Sequence, residues 1–384
     1  MKLAFICTEK LPVPPVAGGA IQIYIQGILP ILSKKYDITV YCLSHKSLPD
    51  EEIKDGVHYI RVKGRTKDEY INNIKKHIQQ SSYDVIHVFN RPKWVLRLLN
   101  SAPNSKFTLS LHNSMFLPKK VDSVRAKKII KNVHFICTVS KFIADEVAQL
   151  YPEAASKLFP IYSGVILNQY KTIWDDKNDK RITLRKKLNI NDKKVVLFIG
   201  RLCKKKGTHI VMNAIKKVMD TRNDIAAVFV GSKWYGKNQT DDFITKLQLM
   251  SNELKGPVIF TGFLPPKVIP DYYSIGDIFV CASQWDEPLA RIHYEAMAAG
   301  LPIITTNRGG NKEVINNKNG FYINEYDNPD LFADKITYLL NNSEVRENMG
   351  REGRKLVEQV YNLNRTANQL LELFEPLDDF FTFI

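Results

Sequence analysis

The chain has 384 residues, of which 44% are hydrophobic and 25% charged, and its formal net charge is +15 at pH 7. This composition is ordinary for a globular protein and excludes a fibrous or largely disordered chain. A single hydrophobic core rarely serves a chain of this length, so two domains are expected. No run approaches the roughly eighteen apolar residues of a membrane-spanning helix. The first residues, MKLAFICTEK, lack the long apolar region of a signal peptide, so we expect a cytoplasmic protein.

The excess of positive charge indicates polyanionic partners, such as nucleotide phosphates, nucleic acid, anionic polymers or an acidic membrane surface. Most of it lies in short runs, such as Lys119–Lys120 and Arg185–Lys186–Lys187, that are typical of solvated surfaces. The sequence contains none of the usual nucleic-acid-binding signatures, and we expect no nucleic-acid partner. Its five cysteines are scattered without CxxC spacing, which indicates structural, reduced residues.

Residues 1–166 alternate strand-like and helical patterns. The runs KLAFIC, DITVYCL, VHYIRV, DVIHVF, KFTLSL and HFICTV are apolar and of strand length, and amphipathic stretches such as residues 21–33 separate several of them. Strands that are apolar throughout and alternate with helices are typical of a parallel sheet covered on both faces. We predict a doubly wound, Rossmann-like α/β domain.

The same rhythm returns after a polar connection. Residues 167–192 are interpreted as a linker with a short basic helix. The runs KVVLFIG, IAAVFVG, VIFTGF, DIFVCAS and LPIITT then predict a second Rossmann-like α/β domain over residues 193–362. We expect residues 363–384 to form a helix that crosses back to the first domain.

Two consecutive domains of this kind are expected to face one another across a cleft. Ligands bind beyond the carboxyl ends of the strands in such sheets. The candidate loops are therefore 14–19, the His112 region, 200–207, 231–235 and 281–287.

The stretch DEPLARIHYEAMAAGLPIITTNRGG sets two glutamates eight positions apart. Pro288 suits the first position of a helix, and we predict one over 288–299 with Gly300 just beyond its end. Glu287 would then stand at the helix start, and Glu295 would lie two turns in, about 12 Å further along the axis at about 1.5 Å per residue. The free N–H groups of Leu289, Ala290 and Arg291 would form an anion site. The alternative is that both glutamates are ordinary stabilising charges.

The loop GRLCKKKG offers further groups for an anion. Arg201 can form bidentate phosphate contacts and Lys206 supplies a compact charge, so together they could neutralise a diphosphate. The alternative is a solvated basic turn. No D-x-D sequence occurs, and we expect neither a metal nor another cofactor.

Three residues of the first domain are weaker candidates. Gly18 and Gly19 lack a Cβ and could let the backbone approach a ligand, although a simple turn is equally plausible. His112 follows a strand-like run at its carboxyl end, yet a lone histidine is more often structural. The sequence has no GxGxxG, which argues against a nicotinamide-dependent oxidoreductase.

The combination of GRLCKKKG with EPLARIHYEAMAAGLPIITTNRGGNKEV resembles the GT-B glycosyltransferases of family 4, over nearly the whole chain. The stretches TEKLPVPPVAGGAIQIYI, VGSKWYG and SQWDEPLARIHYEAMAAGLPIITTNRGGNKEVI further resemble the spore coat protein SA group of spore-forming Firmicutes, which is assigned to the same family.

The resemblance implies a role for each matching residue. Glu287 would contact the donor hexose, Glu295 the donor ribose, and Arg201 and Lys206 the diphosphate. The amides after Pro288 would also receive the diphosphate, while His112 would lie near the transferred sugar. Gly19 would approach the phosphate or the sugar from the other domain, and Gly18 and Gly231 complete the predicted donor-binding set. Where the family often has glycine after EPF, this chain has Ala290, which keeps its N–H but narrows the pocket.

We therefore expect a retaining, metal-independent enzyme that moves a hexose from a nucleotide diphosphate sugar, UDP-linked, to a cell-envelope or spore-surface acceptor. A glycan, a teichoic acid or a glycolipid would serve as that acceptor. The basic residues 119–131 suggest peripheral contact with an anionic membrane, and the group resemblance suggests contact with the spore coat. The alternative is a coat or scaffold protein with this fold and little catalytic activity.

Overall fold

Two α/β units make up the described residues of this computed structural model, which are 1–175, 179–234 and 240–378. The first unit comprises Met1–Ser163 together with the terminal helix Leu363–Asp378, and the second comprises Gly164–Asn362. Tyr235, the end of one candidate loop, and residues 379–384 of the predicted terminal helix lie outside the described residues. No helix in the described ranges is both long enough and apolar enough to cross a membrane.

The first unit is built around one sheet. Its strands are β1 (Lys2–Ile6), β2 (Asp37–Leu43), β3 (Glu51–Lys54), β4 (Val57–Val62), β5 (Val85–Phe89), β6 (Lys106–Leu111), β7 (Val133–Thr138) and β8 (Leu158–Pro160). Its helices are α1 (Ala20–Leu32), α2 (Lys67–Gln79), α3 (Pro92–Leu98), α4 (Ser123–Asn132) and α5 (Lys141–Leu150).

The strand order of this sheet is β3-β4-β2-β1-β5-β6-β7-β8, and every pair is parallel except β3–β4. The central strand β1 pairs with β2 and β5, with Leu3 opposite Ile38 on one side and Val85 on the other. All four residues of β1 after Lys2 are buried. This explains why the central strands are apolar on both faces.

The second unit is also built around one sheet. Its helices, followed along the chain, are α6 (Asp179–Lys187), α7 (Thr208–Thr221), α8 (Asp242–Ser251), α9 (Ile269–Tyr273), α10 (Ile292–Ala298), α11 (Pro329–Asn341) and α12 (Ser343–Gln359). Its strands are β9 (Lys194–Ile199), β10 (Ile225–Val230), β11 (Val258–Phe260), β12 (Ile278–Cys281), β13 (Ile303–Thr306) and β14 (Gly320–Ile323). The order is β11-β10-β9-β12-β13-β14, and all pairs are parallel.

The terminal helix, α13 (Leu363–Asp378), packs on the first unit. At Gly27 of α1, a Cβ would come within 2.2 Å of Leu363 Cδ1, so the small residue lets the two helices approach closely. Further along α13 the ring of Phe374 lies 5.6 Å from that of His87 and 5.4 Å from that of Phe135. An apolar stripe of α13 therefore completes one face of the first sheet.

Helix α6 is attached to the second unit by ion pairs with a buried acid, Asp277. Asp277 Oδ2 accepts the Val195 N–H at 2.7 Å and a hydrogen bond from Arg185 at 3.2 Å, and its Oδ1 accepts one from Arg181 at 3.0 Å. The two arginines of the basic helix thereby neutralise the acid, as a buried charge requires.

The predicted fold class is confirmed. Strands β2, β4 and β6 coincide with the runs DITVYCL, VHYIRV and KFTLSL, and the basic helix and the terminal helix are present. Strands β3, β8 and β14 were not predicted. They lie at sheet edges and are three or four residues long, so their sequences carry little periodicity.

Candidate functional site

Three loops meet at one edge of the second sheet, because the parallel strands β9, β12 and β13 all end there. The loop after β9 is joined to the loop after β12 by a hydrogen bond from the Gln284 N–H to the Lys205 carbonyl, 2.9 Å long. The loop after β13 is joined to the same loop by a hydrogen bond from the Gly310 N–H to the Glu287 carbonyl, 2.8 Å long. These contacts bring the basic loop and the first glutamate together.

Two glycines permit this close packing. Gly207 has a φ of 68°, and a Cβ there would lie 1.8 Å from the carbonyl oxygen of Ala282. Gly309 has a φ of 59°, and a Cβ there would lie 2.0 Å from the carbonyl oxygen of Glu287. Both positions therefore require glycine for conformation and for space. Gly231 is similarly close to the backbone of Gly200, which places it beside the start of the basic loop.

Glu287 is the centre of the charged cluster, with only 5% of the residue exposed. Its Oε1 accepts hydrogen bonds from Ser283 Oγ at 2.9 Å and from Trp285 Nε1 at 2.8 Å, and it forms an ion pair with Lys206 Nζ. Burial alone would raise the pKa of Glu287, but the Lys206 ammonium and these donors hold it below its ordinary value. Glu287 is therefore ionised at neutral pH.

Two tryptophans line the basic loop. The Lys205 ammonium lies 3.6 Å from the ring centroid of Trp285, and the Arg201 guanidinium carbon lies 5.4 Å from that of Trp234. Burial lowers the pKa of Lys205, although the nearby Glu287 carboxylate opposes this change. Lys205 thus joins the predicted cations through its contact with Trp285. Lys204 and Lys205 are both exposed, so this part of the loop is also solvated, as the alternative prediction expected.

The predicted helix over 288–299 is wrong at its start. Helix α10 begins at Ile292, so Pro288 and Leu289 are not helical, and Arg291 is the residue that caps it. The N–H of Ala290 donates to Asn311 Oδ1 at 3.3 Å and is not a free helix-terminal amide. Because the loop after β13 holds this segment through tertiary hydrogen bonds, Pro288 does not start a helix, and the amides of Leu289 and Ala290 precede α10. Their role in binding an anion, with that of the Arg291 amide, stays a prediction.

Glu295 consequently lies in the first turn of α10 and not two turns into a helix. It is 9% exposed, accepts a hydrogen bond from the Tyr273 hydroxyl at 2.8 Å, and pairs with Arg291 at 3.4 Å. Arg291 also donates to the carbonyl of Gly164 at 2.9 Å. The two glutamates therefore have different partners.

His293 fixes the turn that leads into α10. Its Nδ1 lies 2.9 Å from the Ala290 carbonyl and its Nε2 lies 2.9 Å from Thr305 Oγ1. A carbonyl only accepts, so Nδ1 carries the proton and Nε2 accepts from the threonine hydroxyl. Burial lowers the pKa of His293 to about 4, and the ring is neutral at pH 7.

The remaining predicted residues belong to the first unit. Gly18 and Gly19 have φ angles of 86° and 102°, and Gly19 caps α1. His112 follows β6, its N–H donates to Asn90 Oδ1 at 3.1 Å, and its ring meets that of Tyr24 at 4.9 Å edge to face. His112 lies at a strand end as predicted, whereas Gly18 and Gly19 lie just before α1, in the loop that follows β1. The roles of all three stay predictions.

Several residues around the glutamates were missed at the level of sequence: Ser283, Trp285, Lys205, Tyr273 and Asn311. Ser283 and Trp285 precede Glu287 by four and two residues, so proximity along the chain could have indicated them. Tyr273 and Asn311 reach the site only through the fold. Within the described ranges, no group of three or more His, Cys, Asp or Glu side chains is arranged to hold a metal ion.

Both units of the chain match models of glycosyltransferase families. Residues 180–356 match the model for glycosyl transferases group 1, and residues 22–169 match the model for glycosyltransferase family 4. The spore coat protein SA of Bacillus subtilis is 43% identical over 377 residues, which are 98% of this chain and 99% of that protein. YtcC of the same organism, provisionally named a glycosyltransferase, is 43% identical over 98% of this chain and 92% of its own length.

The fold has solved counterparts. The structure of Anabaena Alr3699/HepE in complex with UDP and glucose superimposes with a TM-score of 0.78 at 19% identity, covering 98% of this chain and 99% of that one. The chain is thus a GT-B glycosyltransferase, and it belongs to glycosyltransferase family 4.

Proposed function

We propose that this glycosyltransferase takes a hexose from a nucleoside diphosphate sugar, UDP-linked. The observation that carries the proposal is the buried, ionised Glu287 held against Lys206, with Lys205 and Arg201 in the same loop. Such a donor requires a carboxylate that accepts hydrogen bonds from sugar hydroxyls, next to cations that bind the phosphates. The structural likeness to a protein crystallised with UDP and glucose supports the same donor class.

Each half of the donor has a matching group in the second unit. Glu287 would bind hexose hydroxyls, and Arg201 and Lys206 would bind the diphosphate. Glu295 would accept the ribose hydroxyls, because a carboxylate group has several acceptor positions and Tyr273 and Arg291 occupy only part of them.

We propose transfer with retained configuration and without a metal. The acceptor oxygen would form its bond to the anomeric carbon on the face from which the phosphate leaves, and the leaving phosphate oxygen would take the acceptor's proton. We assign Glu287 to the hexose hydroxyls, so the proposed mechanism contains no covalent glycosyl-enzyme. Arg201 and Lys206 would stabilise the departing diphosphate in place of a metal. Proton NMR of the product should show the donor's anomeric configuration, and EDTA should leave turnover unchanged.

The decisive test is donor turnover in a variant with both Arg201→Ala and Lys206→Ala. Loss of the diphosphate contacts should reduce turnover by about 100-fold or more. Lys216→Ala is the matched control, since Lys216 forms an exposed ion pair with Glu253 at 3.0 Å. Unchanged turnover in the double variant would refute the leaving-group assignment.

The proposed acceptor is a cell-envelope or spore-surface glycan, teichoic acid or glycolipid. The similarity to spore coat protein SA supports a spore-surface acceptor. The exposed lysines of α4 (Lys127, Lys128 and Lys131) support peripheral contact with an anionic membrane.

Mass spectrometry of products from a panel of nucleotide sugars and spore-surface glycans would identify the donor and the acceptor. Failure to co-sediment with anionic vesicles would refute membrane contact. The absence of binding to UDP and to UDP-sugars in calorimetry would favour a scaffold role.

A further inference from the structure

Trp285 contacts both a cation and the central carboxylate. Its indole Nε1 donates to Oε1 of Glu287 at 2.8 Å, while the Lys205 ammonium lies over its ring at 3.6 Å from the centroid. The preceding residue, Gln284, donates its N–H to the Lys205 carbonyl at 2.9 Å. The backbones of the two loops therefore fix the tryptophan and the lysine relative to each other.

The hydrogen bonds to Glu287 are distributed unevenly. Among the described residues, all three donors, Lys206, Ser283 and Trp285, reach Oε1, and none reaches Oε2. Each carboxylate oxygen offers about two acceptor positions, so Oε1 is saturated. The group cannot rotate without breaking these bonds, and any further hydroxyl must bind Oε2.

Lys205 strengthens this arrangement. A cation over the face of an indole draws electron density from the ring, and the ring N–H becomes a better donor as a result. The ammonium sits 3.6 Å from the ring centroid, well inside the distance of about 6 Å at which such contacts act. Lys205 thus favours the ionised form of Glu287 directly by its charge and also by strengthening the hydrogen bond from Trp285.

We propose that Trp285 is a positioning residue that fixes Glu287 so that Oε2 faces the hexose of the donor, with Lys205 reinforcing its hydrogen bond. The proposal rests on the proposed function for the identity of the ligand. The orientation of Glu287 does not depend on that function, so the two can be tested separately.

The first experiment uses no ligand. Trp285→Phe keeps an aromatic face for Lys205 and removes the N–H, so the ionised form of Glu287 loses one donor. Carbon-13 NMR of the glutamate carboxyls should show Glu287 titrating at higher pH than in the wild type. Lys205→Met should shift the titration in the same direction by less. Trp174→Phe is the matched control, since Trp174 also lies near a cation, Arg351, 4.7 Å from its ring.

Coincident titration curves for wild type and Trp285→Phe would overturn the proposal. The Lys205→Met variant keeps the proposal testable if Trp285→Phe fails to fold. In that variant, a Glu287 titration identical to that of the wild type would overturn the role of Lys205.

The second experiment compares UDP with UDP-glucose by calorimetry. Trp285→Phe should bind UDP within about twofold of the wild type, while its affinity for UDP-glucose relative to UDP should fall about tenfold. An unchanged ratio would overturn the proposal. If the wild-type protein bound neither nucleotide, the proposed function would fail, and the ligand-free titration would still decide the role of Trp285.

Discussion

Removing the cation from the buried pair should give a destabilisation that depends on pH. Lys206→Met leaves the Glu287 carboxylate buried without its ammonium, although Ser283 and Trp285 still donate to it. The variant can avoid a buried charge by protonating Glu287, whose ordinary pKa is about 4.3. Each pH unit above that value costs about 1.4 kcal/mol, so the free energy of unfolding should fall by about 3 to 4 kcal/mol at pH 7.

The sign of the pH dependence follows from the wild-type pKa. In the wild type the pKa of Glu287 is below its ordinary value, so its contribution to stability is present at neutral pH and is lost as the pH falls through the native pKa. In the variant the pKa is raised, so the cost grows as the pH rises. The deficit of the variant should therefore shrink by about 2 kcal/mol between pH 7 and pH 5.5.

Urea unfolding of the wild type and three variants at the two pH values tests this reasoning. Adding Glu287→Gln to Lys206→Met should recover most of the lost stability, because no charge is then buried. Lys216→Met, which breaks the exposed pair with Glu253, should cost no more than about 1 kcal/mol at either pH. A deficit that is the same at pH 7 and pH 5.5, or a double variant no more stable than the single one, would refute it.

Three further substitutions test other parts of the site. In the same urea assay, Gly207→Ala should lower the free energy of unfolding by at least about 2 kcal/mol, because the φ of Gly207 is 68° and a carbonyl oxygen fills the space of the new Cβ. The control Gly56→Ala should lower it by only about 1 kcal/mol, because Gly56 has a similar φ of 75° but open space around it. Tyr273→Phe removes a hydrogen bond to Glu295 and should weaken UDP binding severalfold in calorimetry; unchanged affinity would contradict the ribose role. Ala290→Gly should let the enzyme accept bulkier donor sugars in a turnover panel, and an unchanged donor profile would show that the methyl group does not border the sugar.

The sequence predicted the sheets well because their central strands are buried on both faces. A run such as DITVYCL is apolar whichever way its side chains point, and it coincides with β2. The loop GRLCKKKG and the stretch around Glu287 were also predicted to serve one site, and the structure joins them through Lys206.

The start of α10 was not predictable from local sequence. Pro288 favours a helix start, but the carbonyl of Glu287 and the N–H of Ala290 are taken by Gly310 and Asn311, which lie more than twenty positions away. The same holds for Tyr273, which reaches Glu295 only because α9 and α10 are neighbours. Helix propensity reflects only residues that are neighbours along the chain, whereas these contacts join residues that are distant in the sequence.

The two glycines that flank the loop after β12 restrict how this enzyme can change. Gly207 and Gly309 each place backbone where a side chain would stand, and the carbonyls they face belong to Ala282, at the start of that loop, and to Glu287, in its middle. Inserting or deleting a residue between those carbonyls would move one of them away from the glycine that it faces. New donor preferences are therefore accessible through side-chain exchange at positions 284–291, whereas a library that varies the length of this loop should yield mostly inactive proteins.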